Sequence, residues 1–205
     1  MKKTKVLLTL ACVVLLVAAS VMGTLAYLTA QDTVVNCFSV GSVSLSLDEQ
    51  DVDNSTASAA RDKANTYHLL PGHEYIKDPI VHVNTTSEDS WIFVKVENGI
   101  TAYEAATSNE ANGYKTIADQ IAAQGWTKLD NVDNVYYKEY TKNANGADLV
   151  VFEKFKIADD ANNVDGWATI NTQNTKINVI AYAVQKDGFG TASAAWNATF
   201  GASQQ

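Results

Sequence analysis

Residues 91–97, Trp-Ile-Phe-Val-Lys-Val-Glu, set Ile92, Val94 and Val96 on one side of an extended chain and Trp91 and Phe93 on the other. Side chains alternate between the two faces of a strand, so a run that is apolar on both needs cover on both. It predicts a central strand in a layered β structure. Residues 42–47 alternate strictly, with Val43, Leu45 and Leu47 against three serines, and predict a half-buried strand. Upstream, Phe38 and Val40 carry the opposite parity, which predicts a bulge or bend at Gly41. Residues 175–184 are apolar on both parities (Ile177, Val179, Ala181 and Ala183 against Ile180, Tyr182 and Val184) and predict a buried strand.

The turn Leu69-Leu70-Pro71-Gly72 precedes a strand expected over 76–83. Pro79 has no amide proton to give to a ladder, so that strand belongs at an edge or carries a bulge. Residues 135–140 and 149–157 read as a hairpin through the turn-prone stretch 143–146. Between these strands, 101–125 forms an insertion with one short helix. Ile117 and Ile121 stand four apart, Thr116 with Asp119 makes a capping box, and Gly125 supplies the stop. Ala192, Trp196 and Phe200 at spacing four, following Thr191, predict an amphipathic helix whose Trp packs on the sheets. The Asp/Asn-rich stretches 48–64 and 159–166 read as loops. About seven or eight strands with only short helices, one in the insertion and one near the C-terminus, point to a jelly-roll-like antiparallel β-sandwich over 41–205. A doubly wound parallel sheet would need long helices between its strands.

Ahead of that domain, Lys2, Lys3 and Lys5 lead into an apolar run over 6–21 and the small-x-small triplet Thr24-Leu25-Ala26. These are the parts of a secretory signal over 1–26, cut between Ala26 and Tyr27. A retained membrane anchor is the alternative. The polar run 29–33 and the lack of a basic stop-transfer cluster favour cleavage. Cys12 lies deep in the apolar run with Thr9 three residues before it, which speaks against lipidation. Three of the 15 Lys and Arg and none of the 23 Asp and Glu precede residue 27, so processing takes the formal charge from −8 to −11. Such a balance disfavours nucleic acid and anionic lipid as partners. Cys37 would then be the only thiol, acting as a small apolar residue or joining two chains.

Catalytic signatures are sparse: the chain has no His-Glu-x-x-His helix, Gly-x-Ser-x-Gly elbow or phosphate-binding glycine loop. His68, His73 and His82 could meet around a zinc ion only if neighbouring strands gathered them; turn and surface histidines are the plainer reading. The acidic stretches 48–54 and 159–165 offer oxygen ligands but no complete EF-hand, so weak calcium binding stands beside solvated loops. No resident cofactor is expected. Asn54, Asn84 and Asn197 begin Asn-x-Ser/Thr triplets, which matter only in a host that glycosylates them. Tyr136, Tyr137 and Tyr140 are available for core packing or for an adhesive surface.

The order of Gly23-Thr24-Leu25-Ala26-Tyr27-Leu28-Thr29-Ala30, Phe38-Ser39-Val40-Gly41, Leu70-Pro71-Gly72, Lys77-Asp78-Pro79, Trp91-Ile92-Phe93-Val94-Lys95-Val96, Ala181-Tyr182-Ala183-Val184-Gln185 and Asp187-Gly188-Phe189 is similar to the TasA/camelysin family, and its front end resembles substrates of a signal peptidase of the SipW type. The resemblance implies a Gram-positive protein, secreted to the extracellular matrix or cell surface, that polymerises with itself into biofilm-matrix fibres, with or without an accessory matrix protein. It implies growth by donor-strand complementation, in which a segment freed by cleavage completes the sheet of the next subunit. The corresponding segment here is 27–40, with Tyr27, Leu28, Val34, Val35 and Phe38 as its apolar contacts. Pairing of that segment within its own subunit is the alternative. Camelysin-like relatives also bring a metallopeptidase reading, although no zinc helix is present, and a non-polymerising surface adhesin is a third.

Overall fold

The computed structural model describes residues 2–28, 41–54, 60–105, 115–170 and 175–201. The chain divides into two units, Met1–Val40 and Gly41–Gln205, which are taken separately. In the first, α1 (Lys2–Leu28) is apolar around its whole circumference. Val6, Leu7, Leu8, Leu15 and Leu16 all stand more than half exposed. Within the residues whose side chains are described, which in α1 end at Val17, no helix is long and apolar enough to cross a membrane.

The second unit is mainly β. Its strands are β1 (Leu45–Gln50), β2 (Arg61–Asp62), β3 (Glu74–Ile76), β4 (Ile80–Val83), β5 (Ser90–Asn98), β6 (Glu104–Ala105), β7 (Thr127–Lys128), β8 (Val135–Tyr140), β9 (Ala147–Val150), β10 (Lys154–Ile157) and β11 (Ile177–Gln185). Two short α-helices, α2 (Ile117–Ala123) and α3 (Ala192–Thr199), and two 3-10 turns, Ala161–Asn163 and Trp167–Thr169, complete its described elements. The strands pair antiparallel throughout, in three sheets ordered β2-β1-β4-β9, β3-β10-β6 and β11-β5-β8-β7. The expected class, an antiparallel β-sandwich with short helices in an insertion and near the C-terminus, is the class observed.

β5 lies between β11 and β8, in the interior of its sheet as its two-sided apolar pattern requires. Ile92, Val94 and Val96 face Val81 and Val83 of β4 in the main core, joined by Phe152, Phe155, Ile157 and the helix residues Ile117 and Ile121. On the other side Trp91 and Phe93 meet Val135, Val184 and Trp196 of α3 in a second core. Phe93 and Trp196 meet at a tilt with centroids 5.1 Å apart, and Tyr182 and Trp196 meet edge to face at 5.4 Å. The order of layers is therefore sheet, sheet, helix. Both helices form where the sequence signals them. Thr116 and Asp119 cap each other reciprocally, Gly125 leaves α2 at φ +81°, and the Thr191 hydroxyl accepts from the Ala194 amide. Tyr140 is buried in the main core, with Tyr136 beside it and Tyr137 against the second core.

Several expectations need correction. The strand expected over 76–83 is two strands in different sheets, β3 and β4, parted by Lys77, Asp78 and Pro79. The strand expected over 149–157 is likewise β9 and β10, parted by Val151, Phe152 and Glu153. Register carries across the double break: Ile76 stands opposite Lys154 and Ile80 opposite Val150. These four strands are thus one long ribbon, bent where proline cannot donate, with each half joining its own sheet. Nor do β8 and β9 form a hairpin. The turn at 143–146 closes, with the Gly146 amide on the Asn143 carbonyl, but it carries the chain between layers. β8 is already flanked by β5 and β7, so β9 pairs with β4. The loop assigned to 48–64 keeps β1 through Gln50 and contains β2. β11, expected to be buried, is an edge strand among the described residues, and of its nine residues only Val184 is buried.

The bend frees partly buried backbone groups from the ladder, and Gln120 of α2 and Trp126 just after it satisfy them. Gln120, 8% exposed, donates to the Lys154 carbonyl (2.8 Å) and accepts from the amides of Glu153 (3.1 Å) and Lys154 (3.3 Å). The Trp126 indole donates to the Val150 carbonyl at 2.7 Å. Gln120→Leu keeps the volume but strands these groups, each costing about 1–3 kcal/mol when buried unpaired. The expected outcome is a loss of at least ~2 kcal/mol in urea unfolding, seen as a lower midpoint at unchanged slope.

Candidate functional site

A strand whose outer edge has no partner presents a row of amides and carbonyls ready to pair. β11 pairs with β5 alone among the described strands, along all nine of its residues. In β1, residues 45–48 pair with β4, whereas β2 reaches only Glu49 and Gln50. These two edges, free among the described residues, flank a groove of about 470 Å³. Leu45 and Leu47 from β1 and Ile177, Val179 and Ala181 from β11 form its apolar lining. All five pack against the main core yet are only half-buried, so among the described residues the sandwich is incompletely covered along this side.

At one end the groove runs into a second cavity of about 630 Å³, the two sharing Glu49, Lys63, Lys77, Ile177 and Asn178. Here the inward parity of Leu45 and Leu47 ends in Glu49, 6% exposed, which forms an ion pair with Lys77, 8% exposed. The second carboxylate oxygen accepts from the Asn65 amide at 2.9 Å, leaving no lone charge inside. Tyr67 lies beside Lys77, whose ammonium is 6.0 Å from the ring centroid. Burial, with the Glu49 and Asp78 charges adding to it, pushes the Tyr67 phenol far above its ordinary value; it stays neutral and donates to the Ile76 carbonyl at 2.9 Å. Phe155 and Trp167 supply apolar wall, and Lys63 and Lys176 stand at the margin with no ion pair among the described residues.

The opposite face of β1 carries a polar network. His82 on β4 touches Asp148 of β9 at 2.6 Å and Asp48 of β1 at 3.0 Å. Arg61 from β2 bonds Asp48 and, at 2.9 Å, Asp78 beside the proline bend. Burial opposes charge on both Asp48 and His82, but their partners win. Arg61 and His82 hold the Asp48 carboxyl below its ordinary value, and Asp148 and Asp48 hold the His82 imidazole above its own. Four strands, β1, β2, β4 and β9, are tied together across the wall of the groove.

Of the residues singled out in sequence, Ala26, Tyr27 and Leu28 lie in the last turn of α1. Val34, Val35 and Phe38, with Cys37, fall outside the described residues. His68 and His73 are exposed while His82 sits between its two aspartates, and among the described residues no group of three or more His, Cys, Asp and Glu is disposed to hold a metal ion. Sequence reasoning missed Glu49, Lys77, Lys63 and Lys176. The one signal was parity, since Glu49 continues the inward set of Leu45 and Leu47. Comparison with protein-family models, with curated proteins and with solved structures finds no match to this chain.

Removing one member of a buried ion pair strands the other. Lys77→Met is expected to cost about 3–5 kcal/mol in urea unfolding, and the double change Lys77→Met with Glu49→Leu to recover most of it. The outer network sets a pH window. A His82 pKa raised above 6.5 gives a contribution complete below 6.5 and lost as pH climbs through the folded value. An Asp48 pKa lowered below 3.8 gives one present above 3.8 and lost as pH falls through the folded value. Thermal midpoints of the wild type should therefore fall on raising pH from 6 to 9 by more than those of His82→Asn, which lacks the imidazolium.

Proposed function

We propose that this chain is a structural, non-catalytic subunit of extracellular matrix fibres, exported from a Gram-positive cell after a SipW-type peptidase cuts between Ala26 and Tyr27. Subunits join when residues 27–40 of one copy add as a strand to the next. The observation that carries the reading is the half-buried apolar groove between β1 and the edge of β11 that is unpaired among the described residues. β-Augmentation needs both of its parts: an unpaired edge for main-chain hydrogen bonds and a lined trough for alternate side chains. Also in favour are the resemblance to the TasA/camelysin family and the apolar character of α1 on all sides, which suits a segment handled by the export machinery.

The groove constrains how such a strand would sit. α-Carbons of β1 and β11 approach within 8 Å, less than the ~10 Å needed by a strand paired on both sides. An incoming strand therefore pairs with β11 and lays its inward side chains over Leu45 and Leu47 of β1. Burying those residues, with Ile177 and Val179, recovers roughly 25 cal/mol for each Å² of apolar surface removed from water.

Electron microscopy of the chain beginning at Tyr27 should show fibres, and deletion of 27–35 should abolish them while leaving a folded monomer with the same near-UV spectrum. A chain that keeps residues 1–26 should fold and remain unpolymerised. Loss of the folded monomer on deletion would instead mean that the segment completes its own subunit.

A further inference from the structure

The groove has two unlike ends, and the segment proposed to enter it carries one charge. Its apolar floor runs from Leu45 and Ala181 at the far end to Glu49 and Ile177 at the junction with the larger cavity. β1 thus runs toward the junction and β11 away from it. In a chain of formal charge −8, the cavity past the junction is lined by Lys63, Lys77 and Lys176 and by one acid, Glu49, which is committed to Lys77. Asp48 and Asp62 line the groove but not this cavity, and Asp48 is held by Arg61 and His82. Residues 27–40 contain no Lys, Arg or Glu and a single Asp, Asp32. Asp32, Val34, Asn36 and Phe38 share one parity, so an extended segment turns all four to the same side. Val34 to Phe38 spans four residue rises, about 13 Å, as does Ile177 to Ala181 along β11.

Building on the fibre reading, we propose that Asp32 of a second copy of this chain docks between Lys63 and Lys176 and fixes the direction and register of the incoming strand. Val34 and Phe38 then lie over the apolar floor, and the strand runs parallel to β11 and antiparallel to β1. The reverse direction would carry Asp32 to the Leu45 end, where the groove lining offers no cation, and would leave a carboxylate to be partly desolvated without a partner. Charge complementarity at one end of an otherwise apolar trough discriminates between the two directions that main-chain pairing alone would allow.

The test uses the chain beginning at Tyr27. Asp32→Lys, and separately Lys63→Glu with Lys176→Glu, should each slow fibre growth by about ten-fold, and all three changes together should restore it toward the wild-type rate. Both lysines are exposed, so monomer melting should be unchanged by their replacement, which separates a docking effect from misfolding. Direction is read by cross-linking in a Cys37→Ser background. Asp32→Cys should form intermolecular disulfides with Lys176→Cys and none with Ala181→Cys, giving a ladder on a non-reducing gel. Restoration failing in the charge swap, a ladder from Ala181→Cys alone, or a disulfide closed within one chain would each overturn the proposal while leaving wild-type fibres intact. Absence of fibres from the wild type would overturn the fibre reading and this inference with it.

Discussion

Everything in the second unit is arranged around a strand that must be covered twice. β5 places valine and isoleucine against one layer and Trp91 and Phe93 against another, so neither a two-layer sandwich nor a sheet with a wet face satisfies it. The sheet containing β1, β4 and β9 closes the first side, and α3 with Trp196 closes the second. With β5 held between β8 and β11, the outer edge of β11 has no strand partner among the described residues, although β1 of the facing sheet comes close to it. An unfinished margin is the geometric remainder of satisfying the strand that matters most.

The polar groups near that margin are organised to different ends. On the outer face, His82, Asp48, Arg61, Asp78 and Asp148 bind short strands that have little apolar surface with which to hold themselves. On the inner face, Glu49 and Lys77 are taken out of water together, an arrangement that contributes little net stability when intact and is costly when broken. Its effect is to bring the apolar trough to a definite end. The trough gives way to a cavity with aromatic walls and cations, and that asymmetry is what a symmetric stripe of leucine and valine would lack.

Parity made much of this legible in the sequence. The two-sided burial of β5, the inward set Leu45 and Leu47, both helix caps and the packing of Trp196 all follow from spacing that a few neighbouring residues enforce. Pairing partners do not, because alternation states which face a residue takes and not which strand lies beside it. So β8 and β9 resemble a hairpin until β7 occupies the edge of β8, and the apolar residues of β11 resemble an interior strand although nothing described flanks one side. Pro79 was informative about a disturbance but silent about its scale: a missing amide proton predicts a bulge, whereas here it marks where a ribbon passes from one sheet to another. The groove was invisible for the same reason, since its walls come from strands more than a hundred residues apart in the chain.

The bent ribbon also limits how this chain can change length. Lys77, Asp78 and Pro79 on one strand are matched by Val151, Phe152 and Glu153 on the other, so the two halves stay in step. Adding or deleting one residue in either triplet would turn every side chain beyond it to the wrong face, unless the partner strand changed by the same amount. Length variation among descendants of this sequence should therefore accumulate in the connections between strands and be paired, or absent, at the bend.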